Sequence, residues 1–368
     1  MNPERKQGII HTEIRPAAAR ILVIVFLGVV FGVPWLTRGW GTPLRLFPRV
    51  PTAVALRTYE EELETASRSR TWVQPRLQTL ASRWGGFGNV KTVIGRDGWL
   101  FYRPDIELLT TASSASDPRP AIREFHRQLK DRGIRLILLP APVKPMVHPD
   151  KLGGTGAPLY RSSWPQLRRE LEADGILVFD PAPALVASGT SYLKTDTHWR
   201  PEALEVAVQA LAQFIRAKIP DLPVVDSPDY DEQSIRVTHT GDLAAMLGVS
   251  YPAETVTIRQ VQRADRLWQS DDGADVLLLG DSFANIYSAR EMKWGEAAGL
   301  AERLSFHLKR PLDVIIRNDA GAHATRLMLA TDLAQGNDRL VGKKIVIWEF
   351  AARELAVGDW KVFHGSTP

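Results

Sequence analysis

Short apolar strands alternating with helical stretches predict an α/β fold, a mostly parallel sheet with helices on both faces, behind one N-terminal membrane-spanning helix. Three observations carry this expectation. The apolar runs 135–139 (RLILL), 176–179 (ILVF), 276–279 (VLLL), 314–316 and 345–348 are short and nearly unbroken. Strands covered on both faces read this way, whereas half-exposed strands alternate. Helical patterns at 121–131, 164–173 and 202–218 fall between them, the spacing of helix-connected parallel strands. Finally, residues 21–36 read ILVIVFLGVVFGVPWL without a charge.

That last run would span roughly 24 Å as a helix, slightly short of a bilayer core. Ala17 to Ala19 can lengthen it on one side, with Arg20 snorkelling to the interface, while Trp35 and Trp40 suit the other interface. Arg5, Lys6, Arg15 and Arg20 precede it, so the excess of positive charge puts residues 1–16 in the cytoplasm and the rest of the chain outside. A cleaved signal peptide is the alternative, but Phe31-Gly32-Val33-Pro34 makes a poor cleavage site. The expected organisation is a cytoplasmic N-terminus (1–16), a transmembrane signal anchor (17–37), a stalk and leading helix (38–85) and an exported domain (86–368).

Within the exported part, Gly85, Gly86 and Gly88 break the leading helix. Residues 90–102 (VKTVIGRDGWLFY) then read as a hairpin, with Asp97-Gly98 at its turn. Composition narrows the function classes. A net charge of +4 without a basic stripe argues against nucleic-acid binding. The absence of cysteine excludes disulfides, thiolate metal sites and cysteine nucleophiles.

The candidate chemistry sits at two places. Residues 275–282 read DVLLLGDS, a buried strand ending in Gly280-Asp281-Ser282 where a helix begins. Open α/β sheets bind ligands at such carboxyl ends. A serine there also lies near backbone N–H groups able to stabilise an oxyanion. Asp281 and Ser282 would serve equally as helix N-caps. The second place is KTDTHWRPEAL, ahead of the helix that Pro201 can start. There His198 can act as a general base and Asp196 can fix its tautomer. Gly241, in a turn before a helix, and Asn318, just past the strand 314–316, are candidate oxyanion donors. Each is also explained as a turn residue. Asp196, His198, His239 and Asp242 could instead hold a metal, a weaker alternative to the triad.

An Asp-Thr-His-Trp block upstream of a Gly-Asp-Ser block resembles the alginate O-acetyltransferase proteins of the J and X types, whose SGNH-hydrolase-like domain is circularly permuted. Residues 95–102, Pro140-Ala141-Pro142-Val143-Lys144, Gly241-Asp242-Leu243, Trp348-Glu349-Phe350 and Arg353 extend the likeness over most of the exported chain. The resemblance implies a three-layer α/β/α SGNH-hydrolase-like fold. It also implies a Ser282-His198-Asp196 triad that moves acetyl groups onto hydroxyls of an exopolysaccharide, without cofactor or metal. A membrane-bound O-acyltransferase is implied as donor partner, and Tyr287 as a substrate-site candidate, with a core or helix-surface role equally open to it. His148 stands where relatives tend to carry tyrosine. An acetylesterase with the same triad and a noncatalytic polysaccharide-binding subunit are the competing readings.

Overall fold

The computed structural model describes residues Val23, Ile24, Phe26 and Leu27, and then 88–110, 116–153, 159–189, 191–223, 229–318 and 321–363. The four N-terminal residues are helical. The rest of the expected anchor and the whole of the expected stalk lie outside the described residues. Among the described residues no helix is long and apolar enough to cross a membrane. The chain divides between Ala81 and Ser82, and the second unit carries all that follows.

That unit opens with a hairpin, β1 (Thr92–Ile94) and β2 (Leu100–Tyr102), paired antiparallel. Asp97 and Gly98 at its turn have φ of 55° and 74°, the left-handed backbone that aspartate-glycine pairs supply. Next come α1 (Arg103–Thr110), α2 (Arg119–Asp131), β3 (Arg135–Ala141) and the single turn α3 (Lys144–Val147). They are followed by α4 (Trp164–Ala173), β4 (Leu177–Val178), α5 (Ala182–Ala187) and α6 (Pro201–Lys218). A separate antiparallel sheet contains β5 (Asp231–His239), β6 (Glu254–Arg263) and β7 (Arg266–Leu267), with α7 (Asp242–Leu247) between the first two. The chain ends with β8 (Val276–Gly280), α8 (Ser282–Asn285), α9 (Leu300–Leu308), β9 (Asp313–Ile316), α10 (Gly321–Ala334), β10 (Ile345–Ala351) and α11 (Glu354–Val357).

The main sheet has the order β4-β3-β10-β8-β9 and is parallel throughout. Successive strand residues face opposite sides, so the unbroken apolar runs divide between two cores. Ile137, Leu139, Val276, Leu278, Ile345 and Ile347 pack with α6 and α9 on one face. Leu136, Leu138, Leu277, Leu279, Val346 and Trp348 pack with α2, α4 and α10 on the other. The result is the expected three-layer α/β/α sandwich. Its last strand, β10, lies at the centre between β3 and β8, so the end of the chain locks together halves that are far apart in sequence.

Candidate active site

The nucleophile candidate is placed by the handover from β8 to α8. Asp281 sits at the N-cap, and its Oδ1 accepts the Phe283 N–H at 2.8 Å. The capping role is therefore real, and it is what fixes Ser282 in the first turn. Asp281 Oδ2 accepts the Ala351 N–H of β10 at 2.7 Å, and its own N–H donates to Glu349 Oε2 at 2.9 Å. Gly280 leaves room for this close approach, since a Cβ there would come within 2.7 Å of the Ala284 side chain.

The base and acid ride on a tight loop. Leu193 N–H donates to the His198 carbonyl at 3.1 Å and Arg200 N–H to the Ser191 carbonyl at 2.9 Å, closing residues 191–200 into a hairpin-like turn just before α6. Thr195 is held from β6, its N–H donating to Glu254 Oε1 at 3.0 Å. This loop meets the β8–α8 turn across 84 residues of sequence: Ser282 Oγ lies 2.9 Å from His198 Nε2, and His198 Nδ1 lies 2.7 Å from Asp196 Oδ1. The imidazole also packs against Phe283 at 4.9 Å between centroids. Exposure rises along the relay, from 2% at Asp196 to 3% at His198 and 9% at Ser282, so the acid is sealed and the hydroxyl is the reachable end.

Asp196 is a buried carboxylate with four donors. His198 N–H and Nδ1–H bond Oδ1, while Trp294 Nε1–H (2.9 Å) and Asp242 N–H (3.0 Å) bond Oδ2. Burial alone would push its pKa up, but these bonds and the charge of His198 hold it well below the usual carboxylate range. Burial likewise opposes the imidazolium of His198, and the Asp196 hydrogen bond and charge outweigh it, so its pKa is raised. An ionised Asp196 accepts hydrogen bonds only. The proton of neutral His198 therefore sits on Nδ1, leaving Nε2 to take the one from Ser282.

Gly241 and Asp242 brace the acid loop. Gly241 adopts φ 83°, and a Cβ there would lie 2.4 Å from the Thr195 carbonyl oxygen. Asp242 does not cap α7 with its side chain. Its carboxyl instead accepts from Thr197 N–H at 2.8 Å and from the Thr197 hydroxyl. Burial and the neighbouring charge of Asp196 raise its pKa to about 6. Lys144 is buried beneath the same loop, donating to the carbonyls of Leu100 (2.8 Å) and Lys194 (3.4 Å). Burial lowers its pKa to about 8.

The remaining sequence candidates fall into different places. Asn318 stands at the carboxyl end of β9, beside the nucleophile's strand, where Arg317 N–H donates to the Gly280 carbonyl at 3.0 Å. Its Oδ1 accepts from Asn285 at 2.8 Å, which turns its amide N–H₂ toward Met292 Sδ, a weak acceptor at 3.4 Å. Tyr287 corrects the expectation of a substrate contact. It is fully buried, and its hydroxyl donates to the Trp199 carbonyl at 2.7 Å, so it supports the His198 loop from within the core. His148 packs against Trp99 and accepts from Ser191 N–H at 3.1 Å, a packing role at the base of the loop.

Asp196, His198 and Asp242 bring ligand-type atoms within 4.8 Å of one another. Every one of those atoms already has a hydrogen-bond partner in the relay or on Thr197. His239, the fourth residue of the metal alternative, packs edge-on against Trp294 instead. The donor set fits proton transfer rather than metal ligation.

Trp294, Glu254 and Glu349 were not legible as site residues. Nothing in the sequence near Trp294 ties it to Asp196, 98 positions away.

A parallel α/β/α sandwich with an activated serine at its carboxyl edge and the base upstream of the nucleophile defines a permuted SGNH-hydrolase-like acyl-transfer domain. The family model described as "SGNH hydrolase-like domain, acetyltransferase AlgX" matches residues 92–352, and the chain belongs to that family of acetyltransferases. The probable alginate O-acetylase AlgJ of Pseudomonas aeruginosa is 27% identical over 295 residues, covering 74% of this chain and 72% of the relative. The AlgJ protein of Pseudomonas syringae pv. tomato is 24% identical over 364 residues, 91% and 89% of the two chains. Among solved structures, the O-acetyltransferase domain of Pseudomonas putida AlgJ matches with a TM-score of 0.55 at 21% identity, covering 73% of this chain and 93% of that one. AlgX of Pseudomonas aeruginosa matches with a TM-score of 0.53 at 19% identity, covering 74% and 67%.

Proposed function

We propose that the chain is a membrane-anchored O-acetyltransferase that modifies an exopolysaccharide on the periplasmic side of the inner membrane through an acetyl-Ser282 intermediate. The observation that carries the mechanism is the unbroken relay from Ser282 Oγ to His198 Nε2 and from His198 Nδ1 to Asp196. The polysaccharide class is supported by the relatives named as alginate O-acetylases. The compartment is supported by the uncharged run 21–36 and the basic residues before it.

In the first half-reaction the Ser282 hydroxyl attacks the acetyl carbonyl of a donor, and His198 takes its proton at Nε2. The tetrahedral intermediate collapses, the leaving group departs with that proton, and the acetyl ester of Ser282 remains. In the second half a sugar hydroxyl gives its proton to His198 and attacks the ester, regenerating Ser282. We assign the Ser282 N–H, the Gly241 N–H and the Asn318 amide as donors to the oxyanion of both intermediates. Acetyl-coenzyme A is a cytoplasmic thioester, so a periplasmic transferase needs its acetyl group delivered. A multipass membrane-bound O-acyltransferase is the donor partner in this reading.

Transfer and hydrolysis differ only in which hydroxyl resolves the acyl-enzyme. The test compares acetate release with O-acetyl product when oligosaccharide acceptors are titrated against an activated acetyl ester. Acceptor-dependent product at the expense of acetate is expected. Hydrolysis that ignores every acceptor would leave an acetylesterase.

A further inference from the structure

The carboxyl edge of the sheet also carries a pocket to the side of the triad. Ala351 at the end of β10 bonds Asp281, and the next residue, Ala352, belongs to the wall of a pocket of about 230 Å³. Helix α1 links the two places in the same way. Its Asp105 pairs with Arg353, just past the strand that carries Ala351, at 3.1 Å, and its Leu108 lines the pocket. With strands ~4.8 Å apart, the lining residues Ala352, just past β10, and Pro140 of β3 lie roughly 5–10 Å to the side of the nucleophile's strand. The volume exceeds the ~150 Å³ that holds a benzene ring, so a single sugar ring fits.

Its chemistry is mixed in a particular way. Tyr160 and Trp164 supply half-buried aromatic surface. Asp180 anchors them, its carboxyl accepting from Trp164 Nε1–H at 3.4 Å and from Ala182 N–H at 3.0 Å. Arg119 is held by Glu170 at 2.6 Å and by Asp117 at 3.0 Å. Arg161 has no such partner: among the described residues the one hydrogen bond of its guanidinium is to the Leu355 carbonyl at 3.2 Å, leaving most of its five donors for a ligand. An aromatic wall suits the apolar face of a pyranose, an uncommitted guanidinium suits a carboxylate, and Ser163 and Asp180 suit hydroxyls.

We propose that this pocket is an acceptor subsite that binds a uronate ring of the polysaccharide, displaced along the chain from the ring being acetylated. The inference rests on the transferase reading above. It makes the enzyme a reader of acidic oligomers longer than the unit it modifies, with Arg161 setting the preference for a carboxylate and Trp164 stacking the ring.

The experiment measures kcat and KM of acetyl transfer to oligouronates of increasing length, and to neutral oligosaccharides of equal length. It uses the full-length chain and its Arg161→Ala and Trp164→Ala variants. Hydrolysis of an activated acetyl ester without acceptor serves as a control for the intact triad. The expected result is a KM for long oligouronates raised about tenfold in Arg161→Ala, the size of one charge-assisted hydrogen bond. Ester hydrolysis and the KM for the shortest acceptor stay unchanged. Trp164→Ala raises KM for acidic and neutral oligomers alike. Unchanged KM values at every length in both variants would overturn the proposal. If the wild type hydrolyses the ester but acetylates no saccharide, the transferase reading fails, and direct calorimetric titration with an oligouronate decides the pocket: binding lost in Arg161→Ala supports it, and equal binding or none in the wild type overturns it.

Discussion

At the scale of single residues, the site is built around a carboxylate that the fold keeps ionised far from water. Asp196 has two jobs, to hold the Nδ1 proton of His198 and to favour its imidazolium. Asp196→Asn removes both, and a loss of kcat of ~10³- to 10⁴-fold is expected, as when a triad carboxylate elsewhere becomes an amide. The accompanying signature is the titration of His198, followed by NMR of its ring nitrogens. In the wild type the pKa lies above the ordinary value because Asp196 outweighs burial. In the variant burial is unopposed by that carboxylate, so the pKa should fall. Because the base works neutral, wild-type activity should decline as pH drops through the raised value. A His198 titration unmoved by the substitution would remove Asp196 from the role assigned here.

Glu349 makes a second residue-scale test. It lies on the central strand beneath the nucleophile turn, accepting the Asp281 N–H with one oxygen. Among the described residues its other oxygen has no partner. Burial, and then the Asp281 carboxylate beside it, raise its pKa well above the carboxylate range. The sign follows from linkage: an acid raised on folding contributes stability below its unfolded pKa and loses it as pH rises through the folded one. Glu349→Gln keeps an uncharged acceptor for the Asp281 N–H. Its melting temperature should therefore gain on the wild type as pH increases above about 4.5, and a difference that does not vary with pH would contradict a neutral Glu349.

At the scale of elements, two turns meet to make the site, and glycine sets how closely they pack. Gly241 combines positive φ with a Cβ position that runs into the Thr195 carbonyl. Gly241→Ala should destabilise the domain by at least ~1 kcal/mol. It should also lower kcat more than tenfold, because the displaced segment is the one that holds Asp196 through the Asp242 N–H. Thermal denaturation and steady-state kinetics check both, and an alanine variant with native kcat would mean that the acid loop tolerates the shift. The hairpin turn at Asp97-Gly98 and the buried parallel strands were legible because their signals are local: a turn pair, and runs too apolar to have a wet face. The β5–β6 pair was not anticipated, although in β6 Val256 and Ile258 are buried between exposed Thr255, Thr257 and Arg259. That alternation marks a half-covered strand, and it is obscured by the polar character of β5.

At the scale of the whole molecule, the sheet order explains what sequence could and could not reveal. Asp196 and His198 were readable together because one loop carries both, and Ser282 because Gly-Asp-Ser ends an apolar strand. The braces from Trp294, Glu254 and Glu349 depend on which strands become neighbours, and β10 enters the centre of the sheet only after the rest of the chain has been specified. No local pattern encodes that insertion. The proposed anchor belongs to the same scale. The full chain should fractionate with membranes after a high-salt wash, and its catalytic domain should be digested by protease added outside spheroplasts. Release into the soluble fraction would remove the anchor from the account.

The central claim is that Ser282 carries the acetyl group, and intact-mass spectrometry tests it most directly. The protein is incubated with an activated acetyl ester, alongside Ser282→Ala, and the adduct is mapped by peptide digestion. One acetyl group on Ser282, absent from a folded Ser282→Ala variant and discharged by an oligosaccharide acceptor, is the expected result. A folded wild type that transfers acetyl without ever carrying it on Ser282, or that is labelled equally in the alanine variant, would contradict the mechanism.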